Sequence, residues 1–206
     1  MTPFAPSEDR LHLVLRELSR IAGAVSTYCD RIEHNEKSDP PSIVDAGRRL
    51  RNLAVVIAEE LGIDMLHAYA RRLERLEAKH VLGPGDLRIP ERIRIAHSWR
   101  DLQLAQAEHD ATFHADVWGM SKRQQLLHFA LHLAKLAGRY ASITRDDQVA
   151  LIELSDVIVP DVTIFGIKLA TVMNVKLADA PFGRRGDDSQ SPEPHGEWEQ
   201  AFHLVP

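Results

Sequence analysis

The 206-residue chain carries 25 Lys and Arg against 30 Asp and Glu, a formal charge of −5, with 44% apolar and 27% charged residues. That balance fits a globular chain long enough for one or two cores, and its acidic sign argues against a dedicated DNA-backbone binder. A single cysteine, Cys29, excludes an internal disulfide framework and a Cys-rich zinc module. The first ten residues lack a basic-then-apolar leader, so a reducing, cytoplasmic setting is expected. The most apolar stretch, 157–175, is interrupted by Pro160, Asp161, Gly166 and Lys168; it reads as a buried helix and not as a membrane span.

Helical spacing runs through the chain, and strand signals are nearly absent. Leu11, Val14, Leu15, Leu18, Ile21, Ala22 and Val25 recur at three and four, which predicts a first helix over 8–31 with Ser7 as its N-cap. Asp39-Pro-Pro ends a polar break, Ser42 is the expected cap of a second helix over 43–61, and Gly62 stops it. A third helix is predicted over 64–81, ended by Gly83-Pro84-Gly85. Pro90 suits the first turn of a fourth helix over 91–112, and 114–120 reads as a loop. Ser121-x-x-Gln124 is a capping box that opens a fifth helix to about 141. Thr144-x-x-Asp147 opens a sixth helical region to about 173, bent or broken at Pro160. From 183 onward the Arg, Gly, Asp, Ser and Pro content predicts a disordered tail.

Two stretches carry a resemblance. Ala58-Glu-Glu-Leu-Gly-Ile-Asp-Met-Leu-His67 and its continuation to His80 form one. The other comprises Leu102–Asp110, Leu126-Leu-His-Phe-Ala-Leu-His-Leu-Ala-Lys-Leu-Ala137 and Asp161–Leu177. They resemble the helices of the MazG-like all-α nucleotide pyrophosphohydrolases, with Leu-Gly-Ile-Asp as the sharpest local match. The resemblance implies an all-α helical bundle of two units that pair pseudo-symmetrically, 8–82 and 91–178, joined by a linker over 83–90, with a tail over 183–206. It also implies homodimerisation, a nucleotide or other phosphate small molecule as ligand, and Mg²⁺ as cofactor; that no DNA and no membrane partner is expected follows from the charge and the apolar pattern.

In that family Glu-Glu-x-x-Glu on one helix and Glu-x-x-Asp on the next present carboxylates to Mg²⁺, because residues at i and i+3 share a helix face. Here the first three glutamates fall on Leu131, His132 and Lys135. In the first unit they fall near Arg16, Glu17 and Arg20, and the second motif near Ala46 and Arg49, so that unit is read as scaffold. Glu153-Leu-Ser-Asp156 matches Glu-x-x-Asp, while the downstream register selects Asp161; on a straight helix Asp156 and Asp161 lie about 140° apart. Glu153, Asp156 and Asp161 are therefore the expected metal ligands.

His128, His132, Lys135 and Arg139 fall at i, i+4, i+7 and i+11, a cationic stripe on an apolar helix. It reads as a solvated face, as a partner for Asp161 through Lys135 or His132, or as a phosphate site. His128, His132, Lys135 and Lys168 are the expected ligand-binding residues, Lys168 because it lies seven residues after Asp161 on the same face. Trp99, Phe113 and Trp118 offer either a base-stacking wall or core anchors. Three functions compete: a diverged phosphate-ligand binder with weakened or altered pyrophosphohydrolase activity, a non-enzymatic helical interaction module, and an HD-type metal phosphohydrolase built on His109 and Asp110. In the last, His80 or His97 stands upstream and Asp156 or Asp161 downstream.

Overall fold

The helical spacing is realised along the chain. A computed structural model describes residues 8–79, 88–143 and 147–178. Their order is α1 Glu8–Glu33, α2 Pro40–Leu61, α3 Met65–Glu77, α4 Ile89–Arg94, α5 Trp99–Phe113, α6 Ala115–Trp118 and α7 Lys122–Ala141. Helix α8, Asp147–Glu153, runs into a π-helical turn, Leu154–Ile158, and then into α9, Val159–Val172. The architecture is all-α, with no strand among the described residues. No helix of the described residues is long and apolar enough to cross a membrane. Ser7, most of the expected linker and the tail lie outside the described residues.

Local chemistry explains where the helices begin and end. Gly62 stands at φ 65° and returns its N–H to Glu59 and Ala58, as expected of the residue ending α2. That helix begins earlier than expected, because Pro40 and Pro41 sit in the first turn, where a missing N–H costs nothing. Ser42, the expected cap, donates its hydroxyl to the Asp39 carbonyl instead. Asp64 caps α3 by accepting from the His67 N–H at 2.9 Å. The helix expected over 91–112 is two helices, α4 and α5, because Ser98 and Asp101 form a capping box that starts a new one. The expected loop over 114–120 contains the single turn α6. The box at Ser121 and Gln124 opens α7 as expected.

Two cores share α9. Leu18, Ile21 and Val25 of α1, Ile43 and Leu50 of α2, Leu126 and Leu133 of α7, and Val162 and Leu169 of α9 are inaccessible in the first. Tyr69 and Leu73 of α3, Ile93 of α4, Leu102 of α5 and Ile167 of α9 are inaccessible in the second. Each core thus draws on residues from both sides of the expected linker. Helix α9 is buried continuously from Val159 to Ile167, Asp161 and Thr163 included; Thr163 satisfies its hydroxyl on the Val159 carbonyl at 2.8 Å.

Glycine allows α2 and α9 to cross at backbone distance. A Cβ on Gly166 would stand 2.9 Å from Arg51 Cγ and 3.1 Å from both Arg51 N and the Gly47 carbonyl oxygen. Arg51 then uses the gap, donating Nη1 to the Gly166 carbonyl at 2.9 Å. Its guanidinium also lies 5.7 Å above the Trp99 ring, and burial pulls its pKa down to about 10.

The π-helical turn carries the largest consequence for the charged positions. The Val159 N–H bonds to the Leu154 carbonyl, an i to i−5 link. Pro160 has no N–H, so the Asp156 carbonyl, its α-helical acceptor, is left to another donor. Arg75 Nη2 fills that role at 2.6 Å. The widened turn lets Asp156 and Asp161 both meet arginines of α3, although a straight helix would separate them.

Candidate functional site

Each of the three expected metal ligands faces an arginine. Glu153 accepts from Arg139 Nε and Nη2 at 2.7 and 2.6 Å. Asp156 meets Arg75 at 2.7 Å and Arg71 at 3.1 Å. Asp161, buried in α9, is held in a two-pronged pair by Arg72, with both contacts at 2.7 Å. Asp156 and Asp161 hold guanidinium groups on both oxygens and Glu153 on Oε1, so the three carboxylates pair one by one with arginines. The partner of Asp161 is neither Lys135 nor His132 but an arginine from the preceding half of the chain. Similarly Glu17 of α1, buried, is clasped by Arg49 of α2 and by Arg20, which leaves no carboxylate open between those helices at that point.

The stripe on α7 divides. Arg139 is consumed by Glu153, and Lys135 is exposed. His128 and His132 are half-buried, their ring centroids 4.5 Å apart, and His132 also packs on Phe165 at 5.2 Å. Burial lowers the pKa of both, and the charge of Lys168 lowers His128 further. His132 is lowered additionally by His128, Lys135 and Lys168, against a raising influence from Asp161. Neither ring is therefore positively charged at neutral pH.

Lys168, expected on the face of Asp161, turns to α5. Its ammonium stands 2.8 Å from Asp110 Oδ1 and about equally far from the rings of Phe129 and Phe165, 5.9 and 5.8 Å from their centroids. Both partners are nearly enclosed, with side chains 13% and 10% exposed. Gln106 Nε2 donates to the same Asp110 oxygen at 2.9 Å and receives the Tyr69 hydroxyl on its own carbonyl. Burial would raise the Asp110 carboxyl, but His109 and the Lys168 ammonium outweigh it and hold it below the ordinary range. The Tyr69 phenol is pushed well up by burial and by the charges of Asp110 and Asp161, which fixes it as a donor.

A pocket opens at this pair. Asp110, Lys168, Gln106 and His114 supply polar groups, and Phe129 and Trp118 supply aromatic walls. Of the aromatics singled out from sequence, Trp118 thus lines the pocket, Phe113 belongs to the second core, and Trp99 lies beneath Arg51. Behind the pocket His109 is completely buried. Its Nδ1 lies 3.7 Å from Asp110 Oδ1 and its Nε2 3.8 Å from Glu77 Oε1, and neither nitrogen has a hydrogen-bond partner. Among the described residues, His109, Asp110 and His114 bring one ligand atom each to within 4.8 Å of one another.

Arg71, Arg72, Arg75, Gln106 and Glu77 were not singled out from the sequence. On α3 the arginines fit the polar side of an amphipathic helix, and only the long-range pairing gives them a role. Of the two upstream histidines an HD-type arrangement offers, His97 is exposed, and His80 lies outside the described residues. The arrangement can hold an anion against an ammonium between aromatic walls, or a cation between imidazole and carboxylate. No family model, curated protein or solved structure matches the chain.

Proposed function

We propose that the chain binds a phosphate-bearing small molecule of nucleotide type in the pocket at Lys168. In this reading it is a diverged relative of the MazG-like pyrophosphohydrolases whose acidic, magnesium-dependent centre has given way to arginine–carboxylate pairs. The observation that carries the proposal is the Lys168 ammonium, set near Phe129 and Phe165 in a pocket with Trp118 on its wall. A phosphate oxygen competes with Asp110 for that ammonium through charge-assisted hydrogen bonds, and an aromatic wall suits a base or another flat group. His128 and His132 stand close enough to Lys168 to feel its charge, and they add positive charge when protonated. An ammonium positions a phosphate but does not turn bound water into hydroxide as a metal ion does. Binding with little or no hydrolysis is the expected behaviour.

Calorimetric titration with a panel of nucleoside mono-, di- and triphosphates tests the proposal. Lys168→Met is expected to weaken the best ligand about tenfold or more, the scale of one hydrogen bond to a charged group. Lys135→Glu, which reverses a charge beside His132, is expected to weaken a triphosphate by a smaller factor. Unchanged affinity in both variants contradicts the assignment.

A specific observation favours a second reading, a helical interaction module that pairs with another copy. Leu127 and Leu131, at i and i+4 on α7, are 43% and 65% exposed. A homodimer in sedimentation equilibrium that dissociates on Leu131→Glu, with no nucleotide bound, is the outcome that selects it.

A further inference from the structure

We propose that His109, Asp110 and His114 form a binding site for a divalent transition metal of the zinc or iron(II) type, at the inner end of the same pocket. Two imidazoles and a carboxylate are a donor set for such ions, whereas Mg²⁺ favours oxygen ligands and water. The ligand atoms lie within 4.8 Å of one another. Metal bonds of about 2.0–2.2 Å place neighbouring donors roughly 3–4 Å apart, so the set closes with a small side-chain rotation. His114 can supply that rotation, being half-buried and just beyond the end of α5.

A second observation points to a ligand independently. His109 is 0% exposed, yet both its ring nitrogens lack a hydrogen-bond partner, and so does the facing Glu77 Oε1. Buried polar atoms without partners each cost about 1–3 kcal/mol, so three gathered at one ring call for an explanation. Metal binding through Nδ1, the nitrogen beside Asp110, supplies one: Nε2 then carries the hydrogen and donates it to Glu77. A carboxylate behind a ligating histidine is the usual means of fixing its tautomer and orientation. Asp110 and His114 line the pocket, so the remaining coordination positions open towards it. Lys168 competes, because its ammonium already occupies one oxygen of Asp110. A metal ion on that oxygen displaces the ammonium, and one on the other oxygen is repelled by its charge, so Lys168 lowers the affinity either way.

The test uses the full chain and the metal alone, so its outcome is independent of whether a phosphate ligand binds. Metal-free protein is titrated with Co²⁺ and then Zn²⁺, following the visible absorption of the cobalt form and the metal content after gel filtration. One ion per chain is expected. His114→Ala is expected to weaken uptake at least tenfold, and Glu77→Gln about tenfold, the usual range for a group orienting a ligand. Lys168→Met is expected to tighten it several-fold, a sign that structural damage does not produce. Circular dichroism confirms that each variant folds. The paired rings of His128 and His132 are the competing site, and the double variant His128→Ala/His132→Ala is expected to keep full uptake. No uptake by the wild type overturns the proposal, as does uptake that survives His114→Ala and is lost in the His128/His132 double variant.

Discussion

At Asp156 burial and charge pull in opposite directions. Burial alone would raise its pKa, but the hydrogen bond from Arg75 and the charges of Arg75 and Arg71 outweigh it and leave the carboxyl below its ordinary value of 3.8. A group whose folded pKa is depressed stabilises the fold above its unfolded pKa, and that contribution disappears as pH falls through the folded value. Asp156→Asn should therefore lower the melting temperature near neutrality and flatten its decline below pH 4; parallel acid limbs in the two proteins contradict the pairing. His128 and His132 give the opposite sign in ligand binding. Their lowered pKa values leave them neutral at pH 7, and an anionic ligand favours their protonation. Affinity for a phosphate ligand should rise as pH falls from 7.5 to 5.5, more steeply in the wild type than in His128→Asn/His132→Asn, as read by calorimetry at each pH. Sequence spacing singled out these two histidines and Lys168. It could not supply their partners, because Asp110 and Lys168 are far apart in the chain and only the packing of α5 on α9 joins them.

The helices meet through two kinds of contact that respond differently to substitution. Where α2 crosses α9, Gly166 has no room for a methyl group, since Arg51 Cγ and backbone atoms surround the position. Gly166→Ala is expected to cost about 1–3 kcal/mol, as overpacking does elsewhere, against a near-neutral effect at the open Gly138, where a Cβ meets nothing within 4 Å. Where α3 meets α9, Arg72 and Asp161 form a largely enclosed pair. Removing one partner strands the other, so Arg72→Ala should destabilise by about 3–5 kcal/mol in denaturant titration, while Arg72→Met with Asp161→Leu recovers most of the loss. Equal stability of the single variant and the wild type contradicts a paired Asp161. Element boundaries were legible where a side chain punctuates the backbone, as at Gly62, Asp64 and the box at Ser121. The box at Ser98 was not legible because the apolar spacing on either side of it reads as one continuous helix from Pro90. The π-helical turn was not legible, because the freed Asp156 carbonyl depends on Arg75, which arrives from 81 residues away.

For the molecule as a whole, α9 is shared: one side closes the core of α1, α2 and α7, and the other closes the core of α3, α4 and α5. Loss of either core uncovers the same helix. Unfolding should accordingly be one cooperative transition, with calorimetric and van't Hoff enthalpies equal within error; two separated transitions contradict the shared helix. The all-α class could be read from periodicity alone. The way the two cores draw on both halves of the chain could not, because apolar spacing records which face of a helix is buried and not what buries it. The same sharing places Lys168 of α9 beside Asp110 of α5 and under Phe129 of α7, so the pocket exists only in the assembled fold. The most direct measurement is a calorimetric titration of the full chain with nucleoside triphosphates, wild type beside Lys168→Met. The account predicts saturable one-to-one binding that weakens about tenfold or more in the variant. Equal affinities in the two proteins, or no binding of any phosphate ligand to the wild type, would contradict it.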